Sequence, residues 1–353
     1  MTFVHHWTLD PDVVFLNHGS FGACPRAVLD EQQRLRARLE ARPVRFFMDE
    51  VEPLLAEARA ELGAFIGADP QDLAWVRNAT GAVNAVLRSL NLREGDEVLT
   101  TDHAYNACRN AIEARAARVV VAEIPFPVAS PDQVVDAIVR RANPRTRLAL
   151  IDHVTSPTAL VFPVERIVRA LAERGVDTLV DGAHAPGMLP IDLRALGAAY
   201  YTGNCHKWLC APKGAAFLHV RPDRQERVRP STISHGANAD LQGRTRFRVE
   251  FDWTGTDDPT PPLCVPAAIR FLGSLLPGGW TELMQRNRRL ALDARALLCE
   301  KPPAPDSMIG SMAAVPIPDA DGPPPTSPYG TEAFQARLYA RYGIEVPVMG
   351  WPS

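Results

Sequence analysis

The sequence predicts an α/β protein: a large domain on a mostly parallel sheet, and a smaller α+β domain supplied mainly by the C-terminal part of the chain. Three observations carry this. From Asp72 to Asp181 short apolar segments alternate with amphipathic ones, strand then helix, which is the signature of parallel strands joined by crossover helices. Polar residues just beyond these strands form a chemically coherent set. After Pro266 the alternation gives way to long helical segments and a Pro-rich stretch.

In order along the chain, an extended opening leads to AVLDEQQRLRARLEARP and VEPLLAEARAELGAFIG, two segments with apolar residues at helical spacing, the second stopped near Gly67. DLAWVRN, EVLTT, RVVVAEI, RLALIDHV and DTLVDGAH then read as strands. TGAVNAVLRSLN, YNACRNAIEARAA, DQVVDAIVRRA and VERIVRALAERG read as the helices between them. AYYTGN and GAAFLHV continue the sheet and bracket HKWLCAPK. Beyond them AAIRFLGSLL and TELMQRNRRLALDARALLCE are long helices, Lys301 to Pro328 is loop and edge structure, and EAFQARLYARYGIEVPV is a helix running into a strand. The expected division is a large domain over residues 17–265 and a small one from residues 1–16 with 266–353.

Composition narrows the class. The 353 residues are 46% apolar and 22% charged, an ordinary folded composition. The 38 basic and 41 acidic side chains leave a net charge of −3 with no basic block, so neither nucleic acid nor a lipid surface is an expected partner. No apolar run reaches the roughly 20 residues needed to span a bilayer, and MTFVHHWTLD has no leader-like pattern, which makes a cytoplasmic location the expectation. The six cysteines are scattered without a CxxC pair, so reduced, buried thiols are expected and no metal site.

In open α/β sheets ligands sit at the carboxyl ends of strands. Beyond DLAWV comes RNATGA, where Asn78, Ala79, Thr80 and Gly81 open a helix whose N–H groups favour a phosphate. The bland reading is an ordinary helix cap. Beyond DTLV comes Asp181 in DGAHAPG, followed by His184; a carboxylate there can keep a pyridinium nitrogen protonated, though a lone Asp is more often a cap. The balance tips at GNCHKWLCAPKG. Lys207 sits in an apolar setting, where an amine can lose its proton near neutral pH and form an imine; its bland reading is a snorkelling surface lysine.

Taken in order, NAT, DH, DGAHAPG, GN-x-HKW-x-x-x-PKG and FDWTGTDD resemble the class V aminotransferase family of fold-type I pyridoxal 5′-phosphate (PLP) enzymes. FLNHGSFGACP, RPVRFF, ISHG at Ile233 to Gly236 and FDWTGTDDPTP resemble its isopenicillin N epimerase group, from about Phe15 to the C-terminus. The resemblance implies that Lys207 binds the cofactor and carries protons, and that Asp181 meets the pyridine nitrogen. It puts His184 near the phenolic oxygen with Ser156 as a helper, and Ala79, Thr80, Asn204 and His206 on the phosphate. It implies a homodimer in which Gly255 and Thr256 reach the phosphate of the other subunit. His103 or Tyr105 would stack on the cofactor, and Asn17, His18, Arg45 and Phe46 would line the substrate pocket. For His18 a satisfied loop histidine is the equal alternative.

One departure concerns the substrate. Family members continue past a GIEVPV-like strand into one bearing an arginine that clamps the α-carboxylate, whereas this sequence stops at Met349-Gly350-Trp351-Pro352-Ser353. Arg229, Arg244, Arg246 and Arg248 are the candidate substitutes. The expected activity is epimerisation at the α-carbon of an amino-acid-type substrate with a long acyl or peptide-like side chain. Lys207 would serve one face and a group near His103 or Tyr105 the other. The alternatives are β-elimination by a C–S lyase, transamination, or a catalytically silent protein of the same fold. Cysteine desulfuration is disfavoured, because Cys299 falls within a helix.

Overall fold

The computed structural model describes residues 3–115, 118–317 and 332–350. At its centre lie seven strands: β2 (Leu73–Val76), β3 (Glu97–Thr101), β4 (Arg118–Ala122), β5 (Thr146–Asp152), β6 (Asp177–Asp181), β7 (Tyr200–Asn204) and β8 (Ala216–Val220), in the order β2-β8-β7-β6-β5-β3-β4. β8 alone runs against its neighbours, and every other pairing is parallel. A parallel sheet must be covered on both faces, and the strands show it: in β5 every residue but Arg147 is buried.

Alternation along the strands sorts the two faces. Leu148, Leu150 and Leu179 pack with Val83, Val86, Cys108 and Ile112 from the helices Ala79–Ser89 and Asn106–Glu113. Ala149, Ile151 and Val180 face the other way, onto Val134, Ile138, Ile167 and Leu171 of Pro131–Arg141 and Val164–Ala172 and onto Leu35 and Leu62 of the long N-terminal helices Arg26–Ala41 and Val51–Ile66. Truncating one such enclosed leucine to alanine costs about 2–5 kcal/mol.

The expected segments form as helices and strands close to the predicted ends; Gly67 closes its helix at φ +63°. The helix Arg246–Asp252 was not expected. It holds its place because Phe247 and Phe251 pack into the sheet face while Thr245 caps its start. Of the Pro-rich stretch, the described part makes a short turn at Asp306–Met308 and a bridge from Ile309 to Leu160; residues 318–328 lie outside the described residues. A separate two-stranded parallel pair joins β1 (Val14–Phe15) to β9 (Ile344–Glu345), next to the helix Ala333–Tyr342. No helix among the described residues is long and apolar enough to cross a membrane.

Candidate active site

Parity places the chemistry. Asp152, Asp181 and Asn204 each end a strand on the face that carries the helices Ala79–Ser89 and Asn106–Glu113, so their side chains converge beneath the start of those helices. A cavity of about 570 Å³ opens there, lined by Arg77, Asn78, Ala79, Thr80, Tyr105, Asp152, Ser156, Asp181, His184, Asn204, His206, Lys207 and Lys213, among others. Asn204 fixes the helix to the sheet, its Oδ1 accepting the Ala79 N–H at 2.9 Å, and Asn78 caps the same helix by accepting from Gly81 at 2.8 Å.

Lys207 follows β7 in a tight, enclosed loop. Its Nζ lies 3.0 Å from His184 Nε2. Burial is the main cause that brings its pKa down to about 8, with Asp181 pulling the other way. Asp181 accepts the Ala183 N–H at 2.9 Å through Oδ1 and the Cys108 thiol at 3.1 Å through Oδ2. His206 donates Nδ1–H to the Ala215 carbonyl at 3.2 Å, and burial lowers its pKa to about 4. An anion beside it would act in the opposite direction.

Some expected positions fall elsewhere. His103 does not line the cavity. It is fully enclosed, with Nδ1 2.6 Å from the Thr158 hydroxyl and its ring edge-on to Phe126, whereas Tyr105 does line the cavity. His18 lies behind the reactive loop, donating Nε2–H to the Lys207 carbonyl at 3.0 Å, and does not line the cavity. Asn17 lines a smaller adjoining cavity of about 360 Å³ that shares Phe21 and Lys213 with the main one. Arg45 is exposed near Asp49 and Glu50, and Phe46 is fully buried in the core; neither lines the cavity. Gly255, at φ +125°, and Thr256 also lie outside this chain's cavity.

The four substitute arginines are engaged away from the cavity. Arg229 pairs with Glu250, Arg244 with Glu52, Arg246 with the Gly236 carbonyl, and Arg248 with Asp252. The charged cavity groups Arg77, which pairs with Asp257 at 2.7 Å, Lys213 and Asp152 received no role from the sequence, nor did Cys108, which donates to Asp181 from outside the lining. The rule of inspecting residues at strand ends reaches Asp152 and Arg77 as readily as Asp181.

An enclosed lysine of lowered basicity, a carboxylate at the next strand end and a helix N-terminus sharing one cavity of a doubly covered sheet define a fold-type I PLP protein. Residues 14–291 match the aminotransferase class-V family, and the chain belongs to that family. It is 39% identical to isopenicillin N epimerase of Amycolatopsis lactamdurans, over 98% of this chain and 89% of that one. It is 32% identical to a probable chloroplastic L-cysteine desulfhydrase of Arabidopsis thaliana, over 98% and 76%. Among solved structures the cystine C–S lyase C-DES superposes with a TM-score of 0.69 at 22% identity, covering 82% of this chain and 79% of that one. The cysteine desulfurase CsdA of Escherichia coli gives 0.70 at 20%, covering 84% and 77%.

The residues present fit the family's cofactor. The helix start supplies N–H groups for a phosphate, Asp181 an acceptor for a ring N–H and Lys207 an amine for the aldehyde, while the enclosed Asp152 Oδ2, without a hydrogen-bond partner among the described residues, leaves a further polar contact in the same cavity.

Proposed function

We propose that this protein is a PLP-dependent epimerase that inverts the α-carbon of an amino-acid-type substrate bearing a long acyl or peptide-like side chain. The observation that carries the reading is that two proton-carrying groups, the Lys207 amine and the Tyr105 phenol, reach one cavity from different strand ends. Inversion needs a proton removed on one face and returned on the other. When bound, PLP supplies an electron sink that weakens the bonds at the α-carbon.

The chain's own groups do the rest. Lys207, whose lowered basicity leaves a substantial neutral fraction near its pKa of about 8, takes the proton; Asp181 keeps the ring nitrogen protonated. Ala79, Thr80, Asn204 and His206 hold the phosphate, with Gly255 and Thr256 of a second copy completing the cradle in a homodimer. Ser156 and His184 orient the ring. Tyr105 returns the proton on the second face. A second reading, β-elimination from a cysteine derivative, draws on the desulfhydrase relatives and needs only Lys207.

The deciding experiment follows chirality, solvent deuterium uptake and pyruvate release with an aminoadipoyl peptide and with L-cysteine. Inversion that falls about 100-fold in Tyr105→Phe while deuterium uptake persists supports the epimerase. Pyruvate from L-cysteine without inversion of either substrate selects the lyase. Lys207→Ala should lose the visible cofactor band and either activity.

A further inference from the structure

β5 and β6 pair in parallel with Asp152 opposite Asp181, so two carboxyl groups leave the same face of the sheet side by side. Both line the cavity, and they are only 2% and 3% exposed. Asp181 has both oxygens engaged, by the Ala183 N–H and the Cys108 thiol. Asp152 accepts a backbone N–H from Tyr105, while its Oδ2 is enclosed and has no hydrogen-bond partner among the described residues. The titratable groups around the pair are Cys108 from the helix Asn106–Glu113, Lys207 with His184 from the loops after β7 and β6, and the buried Tyr201 of β7 beside Asp181.

Neighbouring carboxylates in an enclosed site do not both ionise; one keeps a proton, and the charge belongs to the pair. We propose that Asp152 carries this proton and donates it to Asp181, so that the cofactor nitrogen is met by an acid–carboxylate pair instead of a lone carboxylate. This rests on the reading that Asp181 faces the ring nitrogen. Burial and the neighbouring Asp181 both hold the Asp152 carboxyl well above the usual carboxylate range, in keeping with that assignment. Asp152 is thus a positioning residue. It spreads a single negative charge over two groups, and when Asp181 is removed it can release its proton and take over the charge.

The test uses PLP-loaded wild type, Asp152→Asn, Asp152→Leu, Asp181→Asn and the double variant Asp152→Asn with Asp181→Asn. The readouts are PLP dissociation, the visible band as a function of pH, and the infrared carbonyl stretch of a protonated carboxyl group. The wild type should show that stretch, and Asp152→Asn should lose it while binding PLP within about twofold of wild type, since an amide can still donate. Asp152→Leu should bind at least about tenfold more weakly, and the double variant about tenfold more weakly than Asp181→Asn alone. The proposal is overturned if the stretch survives in Asp152→Asn, if that variant is as impaired as Asp181→Asn, or if Asp152→Leu behaves as wild type. A normal band and affinity in Asp181→Asn with Asp152→Leu impaired would instead remove the assignment of Asp181, a separate failure.

Discussion

The amine of Lys207 lies 3.0 Å from Nε2 of His184, whose other ring nitrogen accepts the Trp208 indole N–H at 3.4 Å. An acceptor at Nδ1 places the proton of a neutral imidazole on Nε2, and burial together with Lys207 keeps this ring's pKa well below 6.5. His184 then donates to the lysine, which requires the amine to offer its lone pair. The first expectation follows. The rate of PLP uptake, trapped with borohydride on Lys207, should fall with decreasing pH around a midpoint near 8. A midpoint above about 10 would mean that Lys207 is solvated like an ordinary lysine.

Gly22 offers a second test. At φ +71° it passes so close to the reactive loop that a Cβ there would sit 1.9 Å from the His206 carbonyl oxygen and 3.0 Å from the Lys207 Cα. Gly175 has the same φ of +71° with nothing within 4 Å. Gly175→Ala should therefore cost about 1 kcal/mol for the backbone alone, and Gly22→Ala at least about 2 kcal/mol more, with weakened PLP retention. Equal thermal shifts for the two variants would refute the close approach.

Acid sensitivity gives a third. Burial lowers His153, His206 and His219 from 6.5 to about 4. Between these values the unfolded chain binds more protons than the folded one, so stability is full above about pH 6.5 and is lost as pH falls toward about 4. Denaturant midpoints measured from pH 7 to 4 should decline through this window. A flat profile down to pH 5 would show that these rings are protonated in the fold.

The fourth concerns Arg59, whose guanidinium is 2% exposed and pairs with Asp252 at 2.5 Å. Removing one partner of a buried pair typically costs about 3–5 kcal/mol. Arg248 also reaches Asp252, at 3.3 Å, so the carboxylate is not stranded, and Arg59→Met should sit at the lower end of that range, about 3 kcal/mol. Combined with Asp252→Asn, the loss should be smaller than the sum of the two single losses; a purely additive double variant would mean the two do not interact.

Much of this was legible in the sequence because strand and helix periodicities alternate cleanly between Asp72 and Asp181, and because Lys207 and Asp181 stand at strand ends where open α/β sheets gather ligands. What was not legible depends on orientation. His103 and Tyr105 are two residues apart beyond β3, and only the turn between them decides that one enters the Thr158 pocket and the other the cavity. The arginines from Arg229 to Arg248 looked available as a carboxylate clamp; Arg229 and Arg244 meet Glu250 and Glu52 from segments that no local pattern announces, while the Arg248–Asp252 pair, four residues apart, becomes legible only once Arg246–Asp252 is known to be helical. The helix Arg246–Asp252 is short, and tertiary contacts of Phe247 and Phe251 outweigh its weak propensity.

The pair of β1 with β9 fastens Val14 to Gly343 and Leu16 to Glu345, each amide N–H donating one hydrogen bond of 2.8 Å to the partner carbonyl. Bringing together segments so far apart in the chain carries the full entropy of closing a very long loop, repaid by only two residue pairs. Such a clasp should open far more often than the seven-stranded sheet, and the Val14 and Leu16 amides should exchange with deuterium well before those of β5 and β6. The stretch just beyond it carries Ser20 and Phe21 into the cavity wall. The cavity wall above Lys207 is thus continuous with a lightly fastened two-residue clasp, whereas the carboxyl groups beneath it sit at the ends of fully paired strands.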